Sequence, residues 1–111
     1  MESILTSIKK LLGIAEECTD FDGDIITHIN SVFLILRQLG VGPSDGFSIC
    51  DDQTLWSDFI GDQSMLDAVR SYIYLKVRLL FDPPQNSSLL EAVKENAREL
   101  EFRLNVSAEF E

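Results

Sequence analysis

Between Arg37 and Arg70 the chain has no lysine or arginine at all, yet Asp45, Asp51, Asp52, Asp58, Asp62 and Asp67 all fall there. Over the whole sequence nine basic residues face 19 acidic ones, a net charge of −10. A nucleic-acid binder needs cations to meet phosphates, so this stretch excludes tight DNA binding. An acidic surface serves solubility, keeps DNA from adhering, or imitates DNA. Cysteine is scarce as well: Cys18 and Cys50 form at most one pair. The first residues lack the order of basic stretch, apolar core and small-residue cleavage site of a signal peptide. Free thiols and a cytoplasmic life are therefore expected. No apolar run approaches the roughly 20 residues that would span a membrane, so no membrane partner is expected.

Catalytic and ligand-binding patterns are missing too. No Gly-rich phosphate loop and no Cys pair at zinc spacing occurs. Cys18 and His28 have no third member to complete a nucleophilic site, and His28 lacks companions at ligand spacing. Residues 20–24, DFDGD, suggest a calcium loop, but that loop wants glycine sixth and glutamate twelfth. Here the glycine comes fourth, and Ser31 takes the last position. Helix capping by Asp22 or Asp24 is the better reading. No catalytic, cofactor-binding or metal-binding residue is assigned, and no enzyme is expected. Function is expected to reside in surfaces.

What is present is helical periodicity. Of the 111 residues, 45% are hydrophobic, which suits one folded domain over 1–111. A first helix is predicted over 3–12, with Ile4, Leu5, Ile8, Leu11 and Leu12 at helical spacing and Gly13 as stop. Its basic side holds only Lys9 and Lys10, too little for a membrane-surface helix. A second is predicted over 25–39, with a broad stripe through Ile25, Ile29, Val32, Phe33 and Leu36. A long loop follows over 40–61, marked by Gly40, Gly42, Pro43 and Gly46. Within it, 47–49 reads as an extended piece and 52–60 as a short helix that anchors Trp56 in the core.

The third helix, 62–81, is capped by Asp62 or Ser64 and carries two stripes. One runs through Leu66, Val69, Ile73 and Val77. The other, with Met65, Tyr72, Leu75 and Leu79, is a candidate face for a neighbouring subunit. Asp82-Pro83-Pro84 breaks it, and a capping box of Ser88 and Glu91 restarts a fourth helix over 88–105. Its narrow seam of Val93, Ala97, Leu100 and Leu104 suits one antiparallel partner. Glu95 with Arg98, and Glu99 with Arg103, pair on the solvent side. Residues 105–111 read as a flexible tail in which Phe110 is an exposed aromatic. The architecture expected is all-α: a small bundle of about four helices, a C-terminal hairpin, and one long loop after the second helix.

The run DFDGDIITHINSVFLILRQLGVGPSDGFSI, the Trp-Ser-Asp-Phe segment and the hairpin YIYLKVRLLFDPP…LLEAVKENARELEFRLNV together resemble the head-tail connector (adaptor) proteins of tailed bacteriophages and their prophage copies. The resemblance covers nearly the whole chain and is most specific at residues 79–84 and 101–105. It implies a non-enzymatic virion part, all-α, that forms a ring, typically dodecameric, at the phage neck. That ring would sit under the portal protein, extend the DNA channel toward the tail, and meet head-closure or tail-completion proteins. The resemblance implies virion localisation, with host cytoplasm during assembly. By position it maps portal docking to Leu104, Val106 and Phe110. Asp45, Asp51 and Asp52 become candidate channel-lining residues, since fixed positive charge would hold passing DNA. A competing expectation is a small acidic regulator that imitates DNA.

Overall fold

The structure is a computed structural model and describes residues 3–109. Five helices follow one another: α1 (Ile4–Leu12), α2 (Asp22–Gln38), α3 (Trp56–Phe59), α4 (Gln63–Phe81) and α5 (Ser87–Glu109). Among the described residues there is no strand, only an isolated bridge between Ser3 and Leu55. The expected all-α bundle with a long loop after α2 and a C-terminal hairpin is what forms.

α4 is the central element and packs against α1, α2 and α5. Its Val69, Tyr72, Ile73 and Val77 are fully enclosed and meet Ile4 and Ile8 of α1 and Ile25, Ile29, Val32 and Leu36 of α2 in one core. At about 1.5–3 kcal/mol for each large apolar side chain removed from water, this burial is the main force holding the helices together. Phe33, Phe47 and Phe59 form an aromatic trio, with ring centroids 4.8 to 5.2 Å apart, that ties the loop to α2.

Trp56 is core, as expected. It is 1% exposed, and its indole N–H donates to Ser7 Oγ at 3.0 Å. Ser7 in turn donates to the Ser3 carbonyl at 2.7 Å. Asn30 holds the loop from the other side. Its side chain accepts from the Ile49 N–H at 2.8 Å and donates to the Ile49 carbonyl at 2.9 Å. That two-way amide bond satisfies a backbone segment that has no strand partner, so residues 47–49 are braced without being a strand.

Several local readings are corrected. α2 starts earlier than expected, and Asp22 and Asp24 lie in its first turn while Phe21 occupies the cap position without a side-chain bond. Asp22 is drawn instead to Lys9, its Oδ1 2.9 Å from the ammonium. Lys9 is no surface charge: it is 3% exposed, and its Nζ also donates to the carbonyls of Glu16 at 2.9 Å and Cys18 at 2.7 Å. Two backbone carbonyls accept its hydrogen bonds and the Asp22 carboxylate supplies an opposite charge, which is how a buried ammonium is tolerated. α5 is capped by Asn86, whose Oδ1 accepts from the Leu89 N–H at 3.1 Å, and not by Ser88 with Glu91. Asp62 does cap α4. It accepts from the Ser64 N–H at 2.9 Å and hydroxyl at 2.6 Å, and these bonds hold its carboxyl below the usual range. α5 runs on to Glu109, so 105–109 continue the helix.

Gly42 sits at φ +87°, a backbone setting that side chains avoid, and a Cβ there would fall 2.4 Å from the Phe59 ring. The turn is therefore closed down onto the aromatic trio, and only glycine fits it.

Candidate functional site

Two surfaces stand out. The first belongs to the loop. Asp45, Asp51, Asp52, Asp58, Asp62 and Asp67 are all exposed. Asp51 accepts from the Gln53 N–H at 2.9 Å, Asp52 from the Gln53 amide at 2.8 Å, and Asp58 from the Leu55 N–H at 2.9 Å. A carboxylate has about four acceptor sites, so one local bond orients each group and leaves its charge facing solvent. Arg37 fixes the turn that carries Asp45, donating from Nε to the Ser44 carbonyl at 3.1 Å. Beside it Leu34 is 57% exposed and shares a shallow depression with Phe47 and Asp45.

The second surface lies on the hairpin. A groove of about 480 Å³ between α4 and α5 is lined by Ser71, Tyr74, Leu75, Leu100 and Arg103, among others. An adjoining depression holds Phe102, Val106 and Ser107 and shares Glu99 and Arg103 with it. Phe102 is 59% exposed, the most exposed large hydrophobic side chain among the described residues. Arg103 pairs with Glu99 at 2.8 Å and Arg98 pairs with Glu95, both on the solvent side, where such pairs contribute little. Six of the nine basic residues (Arg70, Lys76, Arg78, Lys94, Arg98 and Arg103) are on these two helices.

The residues singled out from sequence are divided by the fold. Of the proposed subunit stripe, Met65 and Tyr72 are 7% and 0% exposed and belong to the protomer's own core. For Tyr72 the physical reason is α5, whose Glu101 Oε2 accepts from the Tyr72 hydroxyl at 2.7 Å, whereas Met65 lies beside Val41, Pro43, Phe59 and Ile60 of the loop. Burial, reinforced by that carboxylate, raises the phenol's pKa far above its ordinary value. Leu75 and Leu79 stay half-buried, and Leu75 lines the groove. Of the docking candidates, Leu104 is 2% exposed and packed in the core, so it is not available to a partner. Val106 is half-buried beside Phe102, and Phe110 lies outside the described residues. Asp45, Asp51 and Asp52 are exposed, as channel lining would require.

Sequence reasoning missed Leu34 and Phe102. Their signal was present: each is a large apolar residue that falls off its helix's buried stripe. Cys18 and Cys50 are free thiols. Among the described residues no group of three or more His, Cys, Asp or Glu could hold a metal ion, and no helix is long and apolar enough to cross a membrane.

The model of the family described as phage connector protein matches residues 4–111. No curated protein and no solved structure matches the chain.

Proposed function

The chain belongs to the phage connector protein family, whose role is structural, and from that premise we propose that it assembles as a ring at the neck of a tailed phage. In this reading the ring sits beneath the portal, joins the DNA-filled head to the tail, and extends the channel through which DNA passes. The observation that carries it is the cation-free stretch over 38–69, whose six aspartates are all exposed. A wall that DNA must slide along should not hold phosphates, because each retained phosphate contact would add salt-dependent affinity. Asp51 and Asp52 are the leading candidates for that wall. The portal would be met at the far end of α5, through Val106, with head-closure or tail-completion proteins on the opposite side.

The test is a charge swap. Asp51→Lys with Asp52→Lys changes two exposed side chains and should leave folding intact. In particles assembled with this variant, DNA ejection should slow or stop short, and the purified variant should gain salt-sensitive DNA affinity. Ejection at the parental rate would remove the lining role. Capture of a host nuclease or repressor by a chain that never assembles would favour the DNA-mimic reading instead.

A further inference from the structure

Arg70 is the first cation after the cation-free stretch over 38–69. It lies on α4 with its guanidinium carbon 5.8 Å from the centroid of the Trp56 ring, within range of a cation–π contact. Trp56 is fixed in the core by its bond to Ser7, so the guanidinium rests on a rigid surface. The Arg70 Nε is buried and has no hydrogen-bond partner. Asp67 of the same helix stands 3.8 Å from Nη2, beyond hydrogen-bond length. The Asp67 side chain is 91% exposed, so this pair contributes little. A guanidinium has five N–H donors, and among the described residues none of Arg70's is spent in a hydrogen bond. Arg103, by contrast, spends two on Glu99. A buried N–H without a partner is destabilising, so Arg70 is held on Trp56 against its own hydrogen-bonding preference.

We infer that Arg70 is a docking point for a carboxylate supplied by another protein, an Asp or Glu side chain met by its terminal nitrogens. The planar fork matches a carboxylate with two parallel hydrogen bonds. An arginine set against an aromatic ring is also the composition that anchors protein interfaces. Asp67 shows the chemistry that the fork attracts, but it lacks the geometry of a hydrogen bond. A DNA backbone offers oxygens of similar geometry, yet it arrives as a continuous line of negative charge. Asp67 beside Arg70, and Asp58 two residues from Trp56, are exposed and repel such a line. An isolated carboxylate needs only the one cation. The site does not depend on ring closure, and it holds for a monomer as well as for an assembled chain.

Trp56 is the only tryptophan, and its emission reports on the charge against its ring. The protein is titrated at constant ionic strength, with sodium acetate or the capped tripeptide acetyl-Gly-Glu-Gly-amide replacing sodium chloride. A saturable change in emission is expected, with a midpoint of about 10–100 mM, the range of one charge-assisted bidentate contact. Arg70→Gln should abolish it. Arg70→Lys, which keeps the charge and loses the fork, should erase the preference for acetate over chloride. Asp67→Asn removes the competing carboxylate and should lower the midpoint by about two- to fivefold. Asp67 is exposed, so this variant decides the matter even where Arg70→Gln does not fold. An equal response to acetyl-Gly-Gln-Gly-amide, or a response retained in folded Arg70→Gln, would overturn the carboxylate site. A tighter response to dimethyl phosphate would assign the fork to nucleic acid and overturn the protein partner. No saturation in either the parent or Asp67→Asn would reduce Arg70 to a support for Trp56 and overturn the docking role.

Discussion

Replacing Lys9 by methionine is the sharpest test of how the chain folds. The ammonium is 3% exposed, holds the carbonyls of Glu16 and Cys18 at 2.9 and 2.7 Å, and lies 2.9 Å from Asp22. It thereby fixes the turn between α1 and α2 and sets where α2 begins. Methionine keeps the stem's packing and removes all three contacts. Hydrogen bonds to a charged group are worth about 1.5–3 kcal/mol each, and breaking a buried ion pair costs about 3–5 kcal/mol. The Asp22 side chain is 26% exposed, and Glu16 lies at the surface, so water recovers part of that loss. A net destabilisation of about 2–4 kcal/mol remains. With a urea slope near 1.5 kcal/mol/M, the midpoint should drop by about 1–3 M. Asp22→Asn should cost less, since the amide oxygen still accepts, and the double variant should be less destabilised than the sum of the singles. A Lys9→Met midpoint indistinguishable from the parent would refute the reasoning.

Other outcomes follow from the same geometry. Tyr72→Phe should cost about 1–2 kcal/mol, because Glu101 loses a donor in a largely buried position. The phenol's folded pKa lies above its unfolded value near 10, so its contribution is complete below pH ~10 and lost as the pH rises through the folded pKa. Alkaline unfolding followed by circular dichroism should therefore be less steep in Tyr72→Phe than in the parent. Gly42→Ala should cost about 1–3 kcal/mol in thermal or urea unfolding, from its positive φ and the clash with Phe59. Gly23→Ala is its counterpart: it lies in the first turn of α2 with open space around it and should stabilise by up to about 1 kcal/mol.

The helices were legible because their apolar spacing is regular, and Trp56 because a lone tryptophan under a glycine-marked loop has few places to go. What the spacing does not encode is which element covers which stripe. The Tyr72 side of α4 reads as surplus until α5 is laid against it, and the polar partner that completes the cover, Glu101, looks like an ordinary surface acid. Leu104 likewise reads as docking material only while 105–111 are taken as a loose tail. Lys9 misled for a related reason. A lysine beside Lys10 on an amphipathic helix resembles a solvated charge, and its oxygens come from a turn whose carbonyls carry no sequence signature. Asp22 likewise reads as a helix cap, whereas its carboxylate answers Lys9. Asn86 precedes α5 directly, yet the Ser88–Glu91 pattern fits a capping box two positions later, so the more familiar motif drew the boundary. Leu34 and Phe102 were readable as apolar residues on polar faces. Their exposure shows only once the fold is known, since nothing among the described residues covers them.

The most direct test of the connector reading is the mass of the purified protein by light scattering, alone and mixed with the portal protein encoded in the same gene cluster. The account predicts closed rings, or a stoichiometric complex on the portal. A chain that stays monomeric at high concentration and ignores the portal would contradict it.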